Sequence, residues 1–147
     1  MSLIARIESE LQDARKARDD QRRDALSLIL SALRSAEKDL QRELSDEEEL
    51  QVLQRERKKR LEAADAFRSA DREAQAAAED AELAILEEFM PTPLSEEELE
   101  EIVDDAIAEV GATSLRDLGR VMKDVMSQVA GRADGGAVSQ LVREKLA

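Results

Sequence analysis

Apolar residues recur along this chain at intervals of three and four, and no stretch alternates with period two. That spacing puts side chains on one face of a 3.6-residue helix, whereas a half-buried strand needs strict alternation. Only two residues are aromatic, both phenylalanine, and 39% are charged, the profile of long solvated helices. The chain is therefore expected to be all-α.

The stripes fall into separate segments. Leu3, Ile7, Leu11 and Ala14 predict a first helix capped by Ser2, with a break near Asp19–Asp20. Leu26, Ile29, Leu30, Leu33, Ala36 and Leu40 predict a second, and its 26–33 segment is the expected core of the N-terminal part. Ser45-Asp46-Glu47-Glu48 is a capping-box start, with acids where the helix dipole favours them. The third helix runs from there to about Ser69, with Leu50, Leu53, Leu61, Ala64 and Phe67 inward. So short a link between the second and third helices predicts an antiparallel hairpin. Arg57 and Arg60 interrupt this stripe; they read as edge residues with their heads in water. Asp71 is the expected cap of a fourth, alanine-rich helix closed by Ile85, Leu86 and Phe89.

Met90-Pro91-Thr92-Pro93-Leu94 must end that helix, because proline lacks an amide donor and drives its predecessor towards extended geometry. The expected architecture is an N-terminal bundle of about four helices over 1–90, joined by this Pro-containing linker to a three-helix domain over 91–147. Ser95-Glu96-Glu97-Glu98 is a second capping box, opening a helix with Leu99, Ile102, Val103, Ala106 and Val110 inward and Gly111 at its end. Ser114 with Asp117 resembles a third such start, for a stripe of Leu115, Leu118, Met122, Val125 and Val129. Gly131, Gly135 and Gly136 are read as stopping that helix. Asp134 caps the last one, with Val138, Leu141, Val142 and Leu146 inward.

The chemistry the sequence can offer is limited. There is no cysteine and no histidine, which removes thiolate ligands, cysteine nucleophiles and the commonest general base. No phosphate-cradling Walker loop or dinucleotide fingerprint is present. The expectation is a chain with no catalytic residues, no metal and no cofactor. No apolar run approaches the roughly 18 residues of a membrane span, and MSLIARIESEL is unlike a signal peptide. A cytoplasmic protein without membrane or DNA partners is expected.

Net charge is −13, which argues against nucleic acid until its distribution is considered. Residues 91–110 carry eight acids and no base, whereas residues 111–147 carry six bases against four acids. Arg116, Arg120 and Lys123 share one face by their spacing, roughly opposite the apolar stripe. Beyond them, Gly131, Arg132 and Gly135 lead into a helix N-terminus, a place where backbone amides can meet a phosphate. The competing reading of that turn is a glycine C-cap followed by an aspartate N-cap. Arg55, Lys58 and Lys59 form a second basic face on the third helix. A surface without aromatic residues would engage RNA through shape and backbone, not base stacking.

ELAILEEFMPTPLSEEELEEIV (Glu82–Val103) and GATSLRDLGRVMKDVM…GRADGGAVSQLVREKL (Gly111–Leu146) resemble the YqeY family. The C-terminal part of that family is similar to the tail domain of GatB, a component of the tRNA-dependent amidotransferase. The resemblance implies two helical lobes and a tail that helps hold the misacylated tRNA, so tRNA or a tRNA-handling enzyme is the implied partner. It also implies, by inheritance from the larger enzyme, a carbon–nitrogen ligase with glutamine as amide donor. The kinase-like cradle and the separate glutaminase that do that chemistry have no counterpart in this sequence. Several members carry further lysines around the turn where this chain has Gln128, Ala130 and Gly136, which lowers its positive charge. A protein-interaction module that uses the acidic N-terminal surface is the third reading.

Overall fold

The computed structural model describes residues 2–147, and among them there are seven α-helices, one 3-10 turn and no strand. The helices are α1 (Leu3–Lys16), α2 (Asp20–Leu40), α3 (Asp46–Ser69), α4 (Glu73–Glu87), α5 (Glu96–Val110), α6 (Leu118–Val129) and α7 (Gly135–Leu146), with the 3-10 turn at Leu115–Asp117 before α6. None is long and apolar enough to cross a membrane. The chain divides into two compact units, Met1–Met90 and Pro91–Ala147.

In the first unit α3 packs chiefly on α4 and α1 on α2, while α2 also touches α3 and α4. The core is Ile7, Leu11, Leu26, Ile29, Leu33, Val52, Leu53 and Leu86, closed by Phe89. The expected inward positions hold except at Leu40 and Leu61, which are 45% and 37% exposed. Leu40 is the last residue of α2, beyond the reach of its neighbours, and Val52 fills the place on α3 that the sequence pattern passed over. The Arg57 and Arg60 heads do not simply enter water. Arg57 pairs with Glu87 at 3.2 Å, and Arg60 reaches Glu79 and Glu82 at 3.2 and 3.1 Å, so α4 supplies carboxylates along the seam.

Helix starts follow the expected caps. Ser2 accepts from the Ala5 amide, and Ser45 and Ser95 form complete capping boxes with Glu48 and Glu98. Gly111 ends α5 as expected, in the left-handed region with φ of 71°, but the helix stops of the first unit use no glycine. Arg18, Gln41 and Asp71 adopt left-handed φ near 57°, and the chain reverses through a 6→1 and a 5→2 backbone bond at each. Asp71 therefore ends α3 and does not cap α4, whose N-cap Arg72 makes no side-chain bond. The Arg72 amide is already used, donating to Phe67 O at 2.8 Å.

The second unit is built around Val103, Val121, Val125, Val129, Val138 and Val142, all fully buried, with Ala106 and Leu146. A valine loses up to about 0.7 kcal/mol of helix propensity. Burying its side chain returns about 1.5 kcal/mol or more, so packing outweighs propensity here. Leu115 is 50% exposed and lies in the 3-10 turn, outside the stripe; Val121 takes that inward role. Ser114 accepts from the Arg116 amide, and Asp117 reaches back to the Thr113 amide at 3.0 Å, which tightens the start into a 3-10 turn. Helix α6 stops at Ala130 and Gly131, both left-handed, whereas Gly135 and Gly136 are the first residues of α7.

Candidate nucleic-acid interface

The cations expected on the surface of the second unit are distributed among three elements. Arg116 lies in the 3-10 turn, and Arg120 and Lys123 lie on the face of α6 turned away from Val121, Val125 and Val129; all three are exposed. Their electrostatic states differ. Arg120 donates to Asp117 at 2.6 Å, and Asp117 is held below the usual carboxylate range by the Thr113 amide first and by Arg120 second. Arg116 and Lys123 make no ion pair among the described residues.

Arg132 is tied into the proline segment. Its Nε donates to Thr92 O at 2.8 Å, its own carbonyl accepts from the Leu94 amide at 2.8 Å, and Glu98 stands 4.0 Å from its Nη2. The turn at Gly131 and Gly135 is likewise furnished from within. Asp134 caps α7 by accepting from the Ala137 amide at 3.1 Å, which seats a carboxylate where a phosphate would come. A side chain at Gly136 would bring its Cβ to 3.0 Å from Asp134 Oδ2, so glycine leaves room for that cap.

The remaining basic residues of this unit are Lys145 and Arg143. Lys145 bridges to Glu100 and Asp104 on α5 at 2.6 and 3.1 Å, and its pKa is raised by Glu100 and then Asp104. Arg143 is exposed, and its Nε donates to Ser139 Oγ at 3.3 Å. Sequence spacing did not single it out, because it stands alone on its helix face. In the first unit, Arg55, Lys58 and Lys59 are not brought together by any shared acid. Lys59 is exposed and pairs with Glu56 at 3.3 Å, and Arg55 and Lys58 make no ion pair among the described residues. Among the described residues no three acids gather as a metal site.

The profile of the Yqey-like protein family matches residues 4–146. The chain belongs to that family. As a YqeY-like chain it is also similar to a glutamyl-tRNA(Gln) amidotransferase subunit of Thermococcus gammatolerans, 39% identical over 66 residues. The alignment covers 42% of the YqeY-like chain and 10% of that relative, so the likeness is to a small part of a much longer protein.

Proposed function

We propose that this protein is a non-catalytic helical module that engages tRNA, or an enzyme that handles tRNA, through its C-terminal unit. The observation that carries this reading is the 39% identity to part of an amidotransferase component named for glutamyl-tRNA(Gln). The charge layout supports it. Acids concentrate on α5, where Lys145 answers two of them, and unanswered cations stand on the 3-10 turn, α6 and α7. With three or so phosphate contacts the affinity depends steeply enough on salt to measure, with a log–log slope of about −2 to −3. The unit has no aromatic residue, so the duplex or backbone shape is what it reads.

The test is retention of total tRNA on filters at low and at physiological salt. Salt-sensitive retention is expected. Retention no greater than that of an unrelated acidic helical protein refutes the RNA reading and leaves a module for protein partners alone. The carbon–nitrogen ligase activity of the amidotransferase type belongs to a second reading, in which the chain is an accessory component. It predicts glutamine-dependent amide transfer only in the presence of the other components of that enzyme.

A further inference from the structure

Six cations lie in the second unit, and packing sorts them. Arg120, Arg132 and Lys145 each face a carboxylate, leaving Arg116, Lys123 and Arg143 without one among the described residues. Those three are not scattered. Helices α6 and α7 are joined by a tight turn and run against each other, and a side chain built at Gly135 would meet Met126 Cε at 3.8 Å. Met126 therefore marks the edge of α6 that faces the start of α7. On a 3.6-residue helix, Gly119 lies about 20° from Met126 and Lys123 about 60° from it, both towards solvent.

Helix α7 offers the matching edge. Lys145 defines its α5 side through Glu100 and Asp104, and the buried Val138, Val142 and Leu146 point inward. Continuing around the helix past these buried residues puts Ser139 and Arg143 on the α6 side, about 120° and about 160° from Lys145. Helical side chains lean towards the N-terminus of their own helix. By that rule Lys123 leans towards Gly119 and Arg143 towards Ser139, each along the solvent side of its helix next to the α6–α7 contact. The Nε bond of Arg143 to Ser139 Oγ has that direction. The groove is open at Gly119, where an added Cβ would meet no atom within 4 Å.

We propose that Lys123 and Arg143, with Arg116 at the groove's end, form a clamp for a nucleic-acid phosphate backbone along the outer α6–α7 groove. This rests on the RNA reading given above and narrows it to a surface that includes one residue, Arg143, outside the sequence-derived set. Arg120 and Arg132 are already engaged by Asp117 and Thr92, so they act as structural cations. A guanidinium and an ammonium on the two edges of one groove suit two successive phosphates, and each brings donors without an acceptor.

The test compares the full chain with a set of variants in tRNA filter binding across a salt series. Lys123→Ala/Arg143→Ala is expected to bind about tenfold more weakly, with a log–log slope shallower by about 1.5. Arg120→Ala is expected to bind like the parent. Gly119→Glu, which sets a carboxylate in the groove without a steric clash, is expected to weaken binding as the double variant does. Helicity by circular dichroism checks that each variant is folded, and Lys123→Arg/Arg143→Lys is expected to restore binding. If the parent binds and the double variant binds equally well, the groove is overturned while the RNA reading stands. If the parent retains no tRNA, both are overturned.

Discussion

Arg132 Nε donates to Thr92 O at 2.8 Å across forty residues of sequence, while the Arg132 carbonyl accepts from the Leu94 amide at the same distance. The residue that the sequence offers to a phosphate thus clasps the proline segment onto the turn between α6 and α7. Proline deprives the segment of amide donors, so it cannot satisfy itself through helix or ladder and needs such outside partners.

Removing that clasp has a defined consequence. Arg132→Ala is expected to lower stability by about 1 kcal/mol, the scale of one charge-assisted bond discounted for solvent. Limited proteolysis should then cut faster within 91–94, with helicity unchanged. Arg132→Lys should not restore resistance, because a lysine has no Nε–H held in a rigid fork. Equal cutting of parent and Arg132→Ala would show that the contacts to Thr92 and Glu98 contribute nothing.

The end of α6 gives a second prediction. Ala130 has φ of 49°, where an L side chain crowds the following carbonyl. Ala130→Gly removes that conflict, and its greater unfolded-state entropy offsets only part of the gain. Stability should rise by about 0.5–1 kcal/mol, read as a higher urea midpoint at unchanged slope. A lower midpoint would mean that the left-handed residue carries no strain.

These two positions mark how far the sequence could be read. Starts were legible at Ser2, Ser45, Ser95 and Asp134 because a cap needs only a side-chain oxygen and an amide three residues on. The break near Asp19 and the end of α3 at Ser69 were also legible, but the left-handed residues that make those turns, Arg18, Gln41 and Asp71, were not, because without glycine nothing in the sequence marks them. The apolar stripes were read correctly at Val125 and Val142 but not at Leu115, whose exposure depends on a 3-10 turn set by Asp117 and Thr113. The basic candidates were found as residues and not as partners. That Arg132 meets Thr92 and Lys145 meets Glu100 depends on packing between segments about forty residues apart.

Gly119 supplies a third prediction. It lies in the second position of α6 with nothing within 4 Å of a built Cβ. Gly119→Ala is therefore expected to stabilise the helix by up to about 1 kcal/mol, through backbone entropy alone. Thermal unfolding checks this, and a lowered midpoint would reveal a close approach at Gly119 that this geometry lacks.

The last prediction concerns two adjacent glutamates whose pKa values are shifted in opposite directions. Glu48 is pushed down to about 2 by Arg42, which holds it through bonds of 2.7 and 2.8 Å, and next by the Ser45 amide. Glu49 is raised, first by burial, then by Asp46 on its own helix and Glu37 on α2, with the Leu3 amide of α1 acting the other way. One of its oxygens, Oε2, is buried without a hydrogen-bond partner. The folded pKa of Glu48 lies below its unfolded value near 4.5, so its contribution is full above that value and is lost as pH falls towards 2. For Glu49 the folded pKa lies above the unfolded value. Its charge therefore costs stability at neutral pH, and the cost disappears as the carboxyl protonates on acidification. Glu48→Gln should keep the cap but flatten the acid limb of the stability curve between about pH 4.5 and 2. Glu49→Gln should raise the urea midpoint at pH 7, with the advantage shrinking as the pH falls from the raised folded pKa towards the unfolded value near 4.5. If Glu49→Gln is equally stabilising at pH 7 and pH 3, the effect comes from packing and not from the buried charge.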